Sequence, residues 1–491
     1  MQIRNESYWK REGAMLIPLI VSFFFLIYKN LMLRIGMYKS DVYSFYQEAN
    51  DWLIDKPLYF ENTFGFVFQH HTYYLIPALA PFTQIFGING LFVAQWILLL
   101  LACREWILSV DLDFRFTRGI GLTILIFGPL GFYLWDNITY GWHLESLAFP
   151  LSIWAAALLY NKKNKSAFGV LFLLCLVREE CALQAAAIYS MFQVLRYFTF
   201  KIKRRELVRN VLLAYGVGIL IFLVNLAVLH WGKGDLRFSQ SANGWDSLLN
   251  DKQYGVTYIW TIVKYSIAIL GSVPFFLLVF RNIPKKFFTL YLFVLPAFVL
   301  GFIAGLYYYP QESFSVVWAP RLYFTSSLII IATLFILGEY RLRMKHAKVR
   351  LALLLIFQFM ILYMPTFNRY YNPVFFTRIA FGKEVSPEHT QMLKDLKLVS
   401  DCMNERQTVV VDEFLAFAFE KHDFILTDKF VTSYIHQPEV AVLRTREVFD
   451  KFKYFEAVDS VSFPQLKVYF AQENHPLKQK ISECALMRPN N

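Results

Sequence analysis

The sequence predicts an all-α polytopic membrane protein with a small C-terminal α/β domain. Three observations support this fold class. First, 56% of the 491 residues are hydrophobic and the mean hydropathy is +0.39, which is more apolar than a soluble globular chain usually is. Second, apolar runs recur at about 17–25 residues, the length that a helix needs to cross a bilayer. Third, short β-rich runs replace the apolar runs after about residue 387.

Eleven apolar segments are candidate transmembrane helices. They are residues 14–33, 90–108, 117–134, 144–160, 167–177, 182–197, 211–230, 256–280, 287–306, 320–339 and 351–366. No small-residue cleavage site follows the first segment, so we expect a retained span rather than a signal peptide. We therefore expect a membrane domain over residues 1–386, in which residues 34–89 form the first outer loop.

The basic residues divide the loops into two groups. Loops 1–13, 103–118, 161–166, 196–210, 281–286 and 340–350 contain 23 Lys and Arg, whereas the longer loops between them contain 8. Basic loops stay in the cytoplasm, so we expect a cytoplasmic N-terminus in the cytoplasmic (inner) membrane. The first loop and residues 367–491 then lie outside. This distribution accounts for the net charge of +12 without a nucleic-acid partner.

The segment 72–86 is apolar. If it crossed the membrane, however, every later loop would lie on the opposite side and the basic loops would be outside. Pro77 and Pro81 also break a continuous helix there. We interpret this segment as an interfacial or re-entrant helix on the outer face.

An amphipathic helix precedes it in the first loop, and we expect that helix to lie flat on the outer membrane face. Its two opposite stripes consist of Val42, Tyr46, Ala49 and Leu53 on the apolar side and of Asp41, Glu48 and Asp55 on the acidic side. On composition alone, Asp41 can simply belong to a solvated face.

Residues 387–491 have the pattern of a small α/β domain. Their β-rich runs are QTVVVDEF, DFILTD, EVAVL and LKVYFA. This region has neither a G-x-G-x-x-G motif nor a P-loop, so nucleotide binding has no support. Cys402 and Cys484 both lie in this region, and the sequence leaves open whether they pair.

Several polar residues fall on the predicted outer face, where a membrane scaffold commonly holds its chemistry. The candidate site residues are Asp41, Gln47, His70, His71, His143, Glu145, Arg178, Glu179, Glu180 and Arg321. His143 and Glu145 are two residues apart, so on a helix they would point away from each other and could not form an i, i+4 metal pair.

Structural roles are the competing interpretation for these residues. The two histidines at 70–71 can be interfacial aromatics. Arg178 can pair with the adjacent glutamates merely to hold a helix end, and Arg321 can be a snorkelling residue at the end of a span.

Four motifs together resemble a known family. DVYSFYQEA, HHTYYLIPALAPF, WHLESLAFPL and VREECAL follow the order found in domain-of-unknown-function family 2079 of polytopic membrane proteins, which itself resembles the GT-C superfamily of integral-membrane glycosyltransferases. The likeness covers about residues 40–380. Tyr43 and Leu144 stand where the family usually has Gly and Pro, and Arg-Glu-Glu at 178–180 replaces Lys-Glu-Asp.

The resemblance implies a GT-C-like fold and a sugar donor carried on a polyprenyl phosphate in the membrane lipid. Asp41 would be the catalytic base, and the other candidate residues would bind substrate. Arg321, Arg178 or a divalent cation (Mg²⁺ or Mn²⁺) would balance the charge of the departing phosphate. Two alternatives remain open at this point: a membrane transporter, and a non-catalytic scaffold whose outer domain binds a partner.

Overall fold

The computed structural model describes residues 15–38, 40–54, 56–63, 65–66, 71–109, 123, 126–127, 141–233, 285–297, 322–339, 385–404, 407–427, 438–444 and 457–486. Within them the chain is mostly helical, with a small sheet region towards the C-terminus. The predicted spans 256–280 and 351–366, and most of 117–134, lie outside the described residues.

The α-helices follow one another in this order: α1 (Leu16–Arg34), α2 (Ser40–Asn50), α3 (Ala80–Phe86), α4 (Asn89–Ser109), α5 (Ala148–Tyr160), α6 (Asn164–Cys175), α7 (Cys181–Phe198), α8 (Arg204–Lys233), α9 (Leu322–Glu339), α10 (Pro387–Cys402) and α11 (Pro476–Leu486). Among them α1, α4 and α8 are long and apolar enough to cross a membrane. Shorter apolar helices occupy the predicted spans 144–160, 167–177 and 320–339. The count of eleven spans stays a prediction.

Helix α5 lies at the centre of the packed helices and contacts α4, α6, α7 and α9. Nearly all of its side chains are buried, including a run of alanines at 155–157. Small side chains let helices approach closely where the surrounding lipid provides no hydrophobic driving force. By contrast, α8 exposes apolar side chains such as Leu212 and Leu220, which suits contact with lipid tails.

Ion pairs connect loops that the basic-residue pattern places on one side of the membrane. Lys163 lies 2.7 Å from Glu105, and Lys201 lies 3.5 Å from Glu339. All four residues lie in or next to loops predicted to be cytoplasmic, so these contacts agree with the predicted alternation of the spans.

The segment 72–86 contains a 3₁₀ helix at Ile76–Leu79 followed by α3. A proline stands in the first turn of each piece. The two pieces together extend about 18 Å, less than two thirds of the thickness of the hydrocarbon core. The interpretation of this segment as an interfacial or re-entrant helix stays a prediction.

Helix α2 differs from the prediction. Glu48 is only 4% exposed, so the acidic stripe is not a solvated face along its whole length. The expectation that the helix lies flat on the outer membrane face stays a prediction. The helix ends at Asn50, and Asp55 lies outside the described residues. The C-terminal domain contacts this helix at Tyr43, whose ring lies 6.3 Å from that of Phe424.

The strands are β1 (Phe60–Glu61), β2 (Gly65–Phe66), β3 (Thr408–Asp412), β4 (Asp423–Thr427), β5 (Val440–Arg444), β6 (Asp459–Ser462) and β7 (Leu466–Phe470). The first two form a short antiparallel pair. The others form one sheet in the order β4-β3-β5-β7-β6, with β3 parallel to β4 and β5 and the remaining pairs antiparallel. Residues 409–411 of β3 are fully buried, as in a strand covered on both faces.

Side chains of the first loop cover the edge strand β4. Gln47 donates a hydrogen bond to the carbonyl oxygen of Phe424 at 2.6 Å, and the backbone N–H of Leu426 donates to Thr63 Oγ1 at 3.0 Å. Lys56 Nζ lies 2.9 Å from Asp423. Unpaired strand edges need such partners. The C-terminal domain is therefore fixed to the loop that contains α2.

Candidate functional site

Seven of the ten predicted site residues meet in one connected group of contacts. We refer to them as the polar cluster, which consists of Asp41, His71, His143, Glu145, Arg178, Glu179 and Glu180. They come from four separate stretches of chain: the start of α2, the segment before the 3₁₀ helix at 76–79, the start of the 3₁₀ helix before α5, and the turn between α6 and α7.

His143 lies between two carboxylates. Its Nε2 is 3.3 Å from Asp41 Oδ2, and its Nδ1 contacts Glu145 Oε2. The expectation that His143 and Glu145 point apart is wrong, because His143 has an extended backbone and precedes the helix that begins at Leu144. A carboxylate oxygen therefore faces each nitrogen of the imidazole ring.

Arg178 is held by three carboxylates. Its guanidinium contacts Glu145, lies 3.5 Å from Glu179 and lies 2.8 Å from Glu180. Tyr73 adds a hydrogen bond at 3.1 Å from its hydroxyl to the same Glu145 oxygen that meets the arginine. Arg178 therefore connects three carboxylates of the cluster.

Glu179 connects Arg178 to the first loop. Its Oε1 lies 2.7 Å from His71 Nδ1, and its Oε2 accepts hydrogen bonds from the backbone N–H and the hydroxyl of Thr72, both at 3.3 Å. Burial by itself favours the neutral acid. The positive charges of His71 and Arg178 outweigh burial and hold the pKa of Glu179 below its ordinary value.

Exposure divides the polar cluster into two parts. The side chains of Asp41, His143 and Glu180 are 26%, 21% and 29% exposed. Those of Glu145 and Glu179 are 1% and 7% exposed. The partly exposed side chains can contact a substrate, whereas the buried side chains can act only by positioning the exposed ones.

The other three predicted residues are not part of this cluster. Gln47 makes its hydrogen bonds to Phe424 and to the backbone N–H of Asn62, and so connects α2 to the C-terminal domain. His70 and Arg321 lie outside the described residues.

A divalent cation at this cluster stays a prediction. Both nitrogens of His143 and the Nδ1 of His71 face carboxylates rather than a shared point. Within the described ranges, no group of three or more His, Cys, Asp or Glu side chains is arranged to hold a metal ion.

Sequence reasoning overlooked the residues that support His143. The ring of Phe45 lies 4.9 Å from the imidazole, and Tyr73 lies 6.0 Å from it. Lys29 was also overlooked, although a charged residue within a predicted span is a recognised signal of function.

No protein-family model matches the chain, and no curated protein matches it. Its likeness to a family therefore depends on the order of the four motifs.

Proposed function

We propose that the chain is an integral-membrane glycosyltransferase of the GT-C kind. It would transfer a sugar from a polyprenyl phosphate to an acceptor hydroxyl on the outer face of the cytoplasmic membrane. The observation that carries this proposal is the placement of Asp41: a partly exposed carboxylate of the first loop, held 3.3 Å from His143 at the accessible end of a buried ionic network.

Asp41 acts as the general base. Its carboxylate takes the proton from the acceptor hydroxyl while the acceptor oxygen attacks the anomeric carbon of the sugar. The bond between that carbon and the phosphate oxygen breaks, and the polyprenyl phosphate leaves with the electron pair. Asp41 then holds the transferred proton, which it releases to solvent.

The remaining members of the cluster position Asp41. His143 fixes the Asp41 carboxylate, and Glu145 and Arg178 fix His143. Because Glu145 and Arg178 are buried, their arrangement is set before the substrate arrives. Such preorganisation avoids a cost of reorganisation during the reaction.

The donor phosphate needs positive charge from outside this cluster. Four carboxylates face one guanidinium and two imidazoles, so the cluster has a net negative charge even with both imidazoles protonated. Three carboxylates contact Nε and Nη1 of Arg178, so we assign this residue to positioning and not to phosphate binding. Arg321 and a divalent cation remain as candidates for balancing the charge of the phosphate.

A disulfide bond at Cys402 supports the outer location of the C-terminal domain. Disulfides persist in oxidising compartments and are rare in the cytosol. The contacts of this domain with the first loop also support a shared side of the membrane, in agreement with the basic-residue pattern.

The test is donor turnover by purified protein in detergent or liposomes. Polyprenyl-phosphate sugars with a labelled lipid are supplied together with a membrane extract as the source of acceptor hydroxyls, and release of free polyprenyl phosphate is measured, since this readout does not require the acceptor to be identified. We expect release with at least one sugar donor. Absence of release with all donors, together with uptake of labelled solutes into the same liposomes, would instead support a transporter.

A further inference from the structure

Lys29 is a charged side chain buried within the first candidate span. It is 2% exposed, on the face of α1 that packs inward. Its ammonium donates a hydrogen bond to the carbonyl oxygen of Gly141 at 2.6 Å. The rings of Phe25, Tyr38 and Phe92 surround it at 5.7, 5.5 and 6.0 Å. Cation–π contacts of this kind offset part of the cost of burying a charge.

The backbone conformation at Gly141 favours a glycine. Its φ is +62°, in the left-handed region that favours glycine. A Cβ at this position would lie 2.3 Å from Cγ of Tyr38. The same tyrosine ring therefore packs on both Gly141 and Lys29 and fixes the turn of the chain.

This turn leads directly to the site. Two residues after Gly141, His143 takes an extended conformation and meets Asp41. Trp142 between them is buried, and its ring lies 5.4 Å from that of Phe45 on α2. A shift of the Gly141 carbonyl would consequently move the imidazole relative to the helix that contains Asp41.

We infer that Lys29 is a positioning residue for His143. It acts through the Gly141 carbonyl and not on the substrate. The consequence for sugar transfer depends on the proposed function, whereas the effect on the His143 ring does not. The role also gives a physical reason for a lysine inside an apolar span, where a charge is costly and an aliphatic residue would otherwise be favoured.

The test combines a ring readout with an activity readout. Histidines are labelled with ¹⁵N in the full-length protein, and the ring signals of His143 are assigned by their loss in His143→Gln. Lys29→Met removes the charge and the donor at similar length, while Lys29→Gln keeps an N–H donor and is easier to accommodate. The matched control is Lys201→Met, at an exposed lysine on the predicted cytoplasmic side.

We expect both Lys29 variants that fold to displace the His143 ring signals, and Lys201→Met to leave them in place. Donor release should fall about 10–100-fold in the Lys29 variants, the scale expected for a small misplacement of catalytic groups. The inference is overturned if either folded Lys29 variant keeps the wild-type His143 signals. If no donor is turned over even by the wild type, the proposed function fails while the ring signals still decide the role of Lys29.

Discussion

Replacing Glu145 by glutamine should destabilise the protein strongly. Its side chain is 1% exposed and contacts His143, Arg178 and the hydroxyl of Tyr73. Glutamine keeps the shape but removes the charge, so the buried guanidinium of Arg178 loses one of its carboxylate partners. Breaking a buried ion pair from one side costs about 3–5 kcal/mol of unfolding free energy.

The matched control is Glu339→Gln, the same change in an exposed pair. Glu339 lies 3.5 Å from Lys201, and the lysine side chain is 47% exposed. Surface ion pairs contribute about 0–1 kcal/mol, so this variant should unfold almost like the wild type.

Thermal unfolding in detergent can be followed with a fluorogenic dye that reacts with thiols. Cys103 and Cys181 are free and buried, so the dye reports their exposure on unfolding. We expect Glu145→Gln to lower the apparent Tm by on the order of 5 °C relative to Glu339→Gln. Adding Arg178→Met to Glu145→Gln should cost less than the sum of the single changes. Equal Tm values for the two Glu→Gln variants would refute the buried network.

Three further predictions concern the first loop and the C-terminal domain. Burial, together with nearby carboxylates, raises the pKa of Glu48. The stability that this group contributes is therefore complete below the pKa of the unfolded acid, about 4.3, and is lost as pH rises towards the folded pKa. The Tm advantage of Glu48→Gln over the wild type should grow from pH 5 to pH 9, and a constant difference would contradict this. Lys56→Met and Asp423→Asn each remove the ion pair of 2.9 Å between the first loop and β4, so each should speed proteolytic release of the C-terminal domain. An unchanged rate would show that this pair does not hold the domain to the loop. We expect Cys402 to pair with Cys484, which mass spectrometry of unreduced peptides checks; alkylation of Cys402 without reductant would disprove it.

Hydropathy and strand patterns predicted much of the fold. The long apolar runs correspond to α1, α4 and α8, and the four β-rich runs correspond to β3, β4, β5 and β7. Strand β6 was not predicted. Its residues, Asp459–Ser462, are mostly polar and form an edge of the sheet, where burial imposes no apolar pattern.

The membership of the polar cluster was largely predictable, but its internal geometry was not. Motif order and loop sidedness grouped Asp41, His143 and Arg178 before any contact was known. The contact between His143 and Glu145 depends on where a helix begins, and element boundaries are the least certain part of a sequence-based prediction. The contacts of Tyr43 and Gln47 on α2 are with a domain more than 300 residues away in the chain, which local periodicity does not report.

The most direct measurement of the central claim compares donor release by Asp41→Asn and Asp401→Asn. Both changes remove one carboxylate charge, but Asp401 is exposed at the end of α10, in the C-terminal domain. Asparagine cannot take a proton at neutral pH, and losing general-base help costs about 10²–10⁴ in rate. We expect that loss for Asp41→Asn at an unchanged apparent Tm, and wild-type release for Asp401→Asn. Turnover by Asp41→Asn close to that of Asp401→Asn would contradict a catalytic role for Asp41.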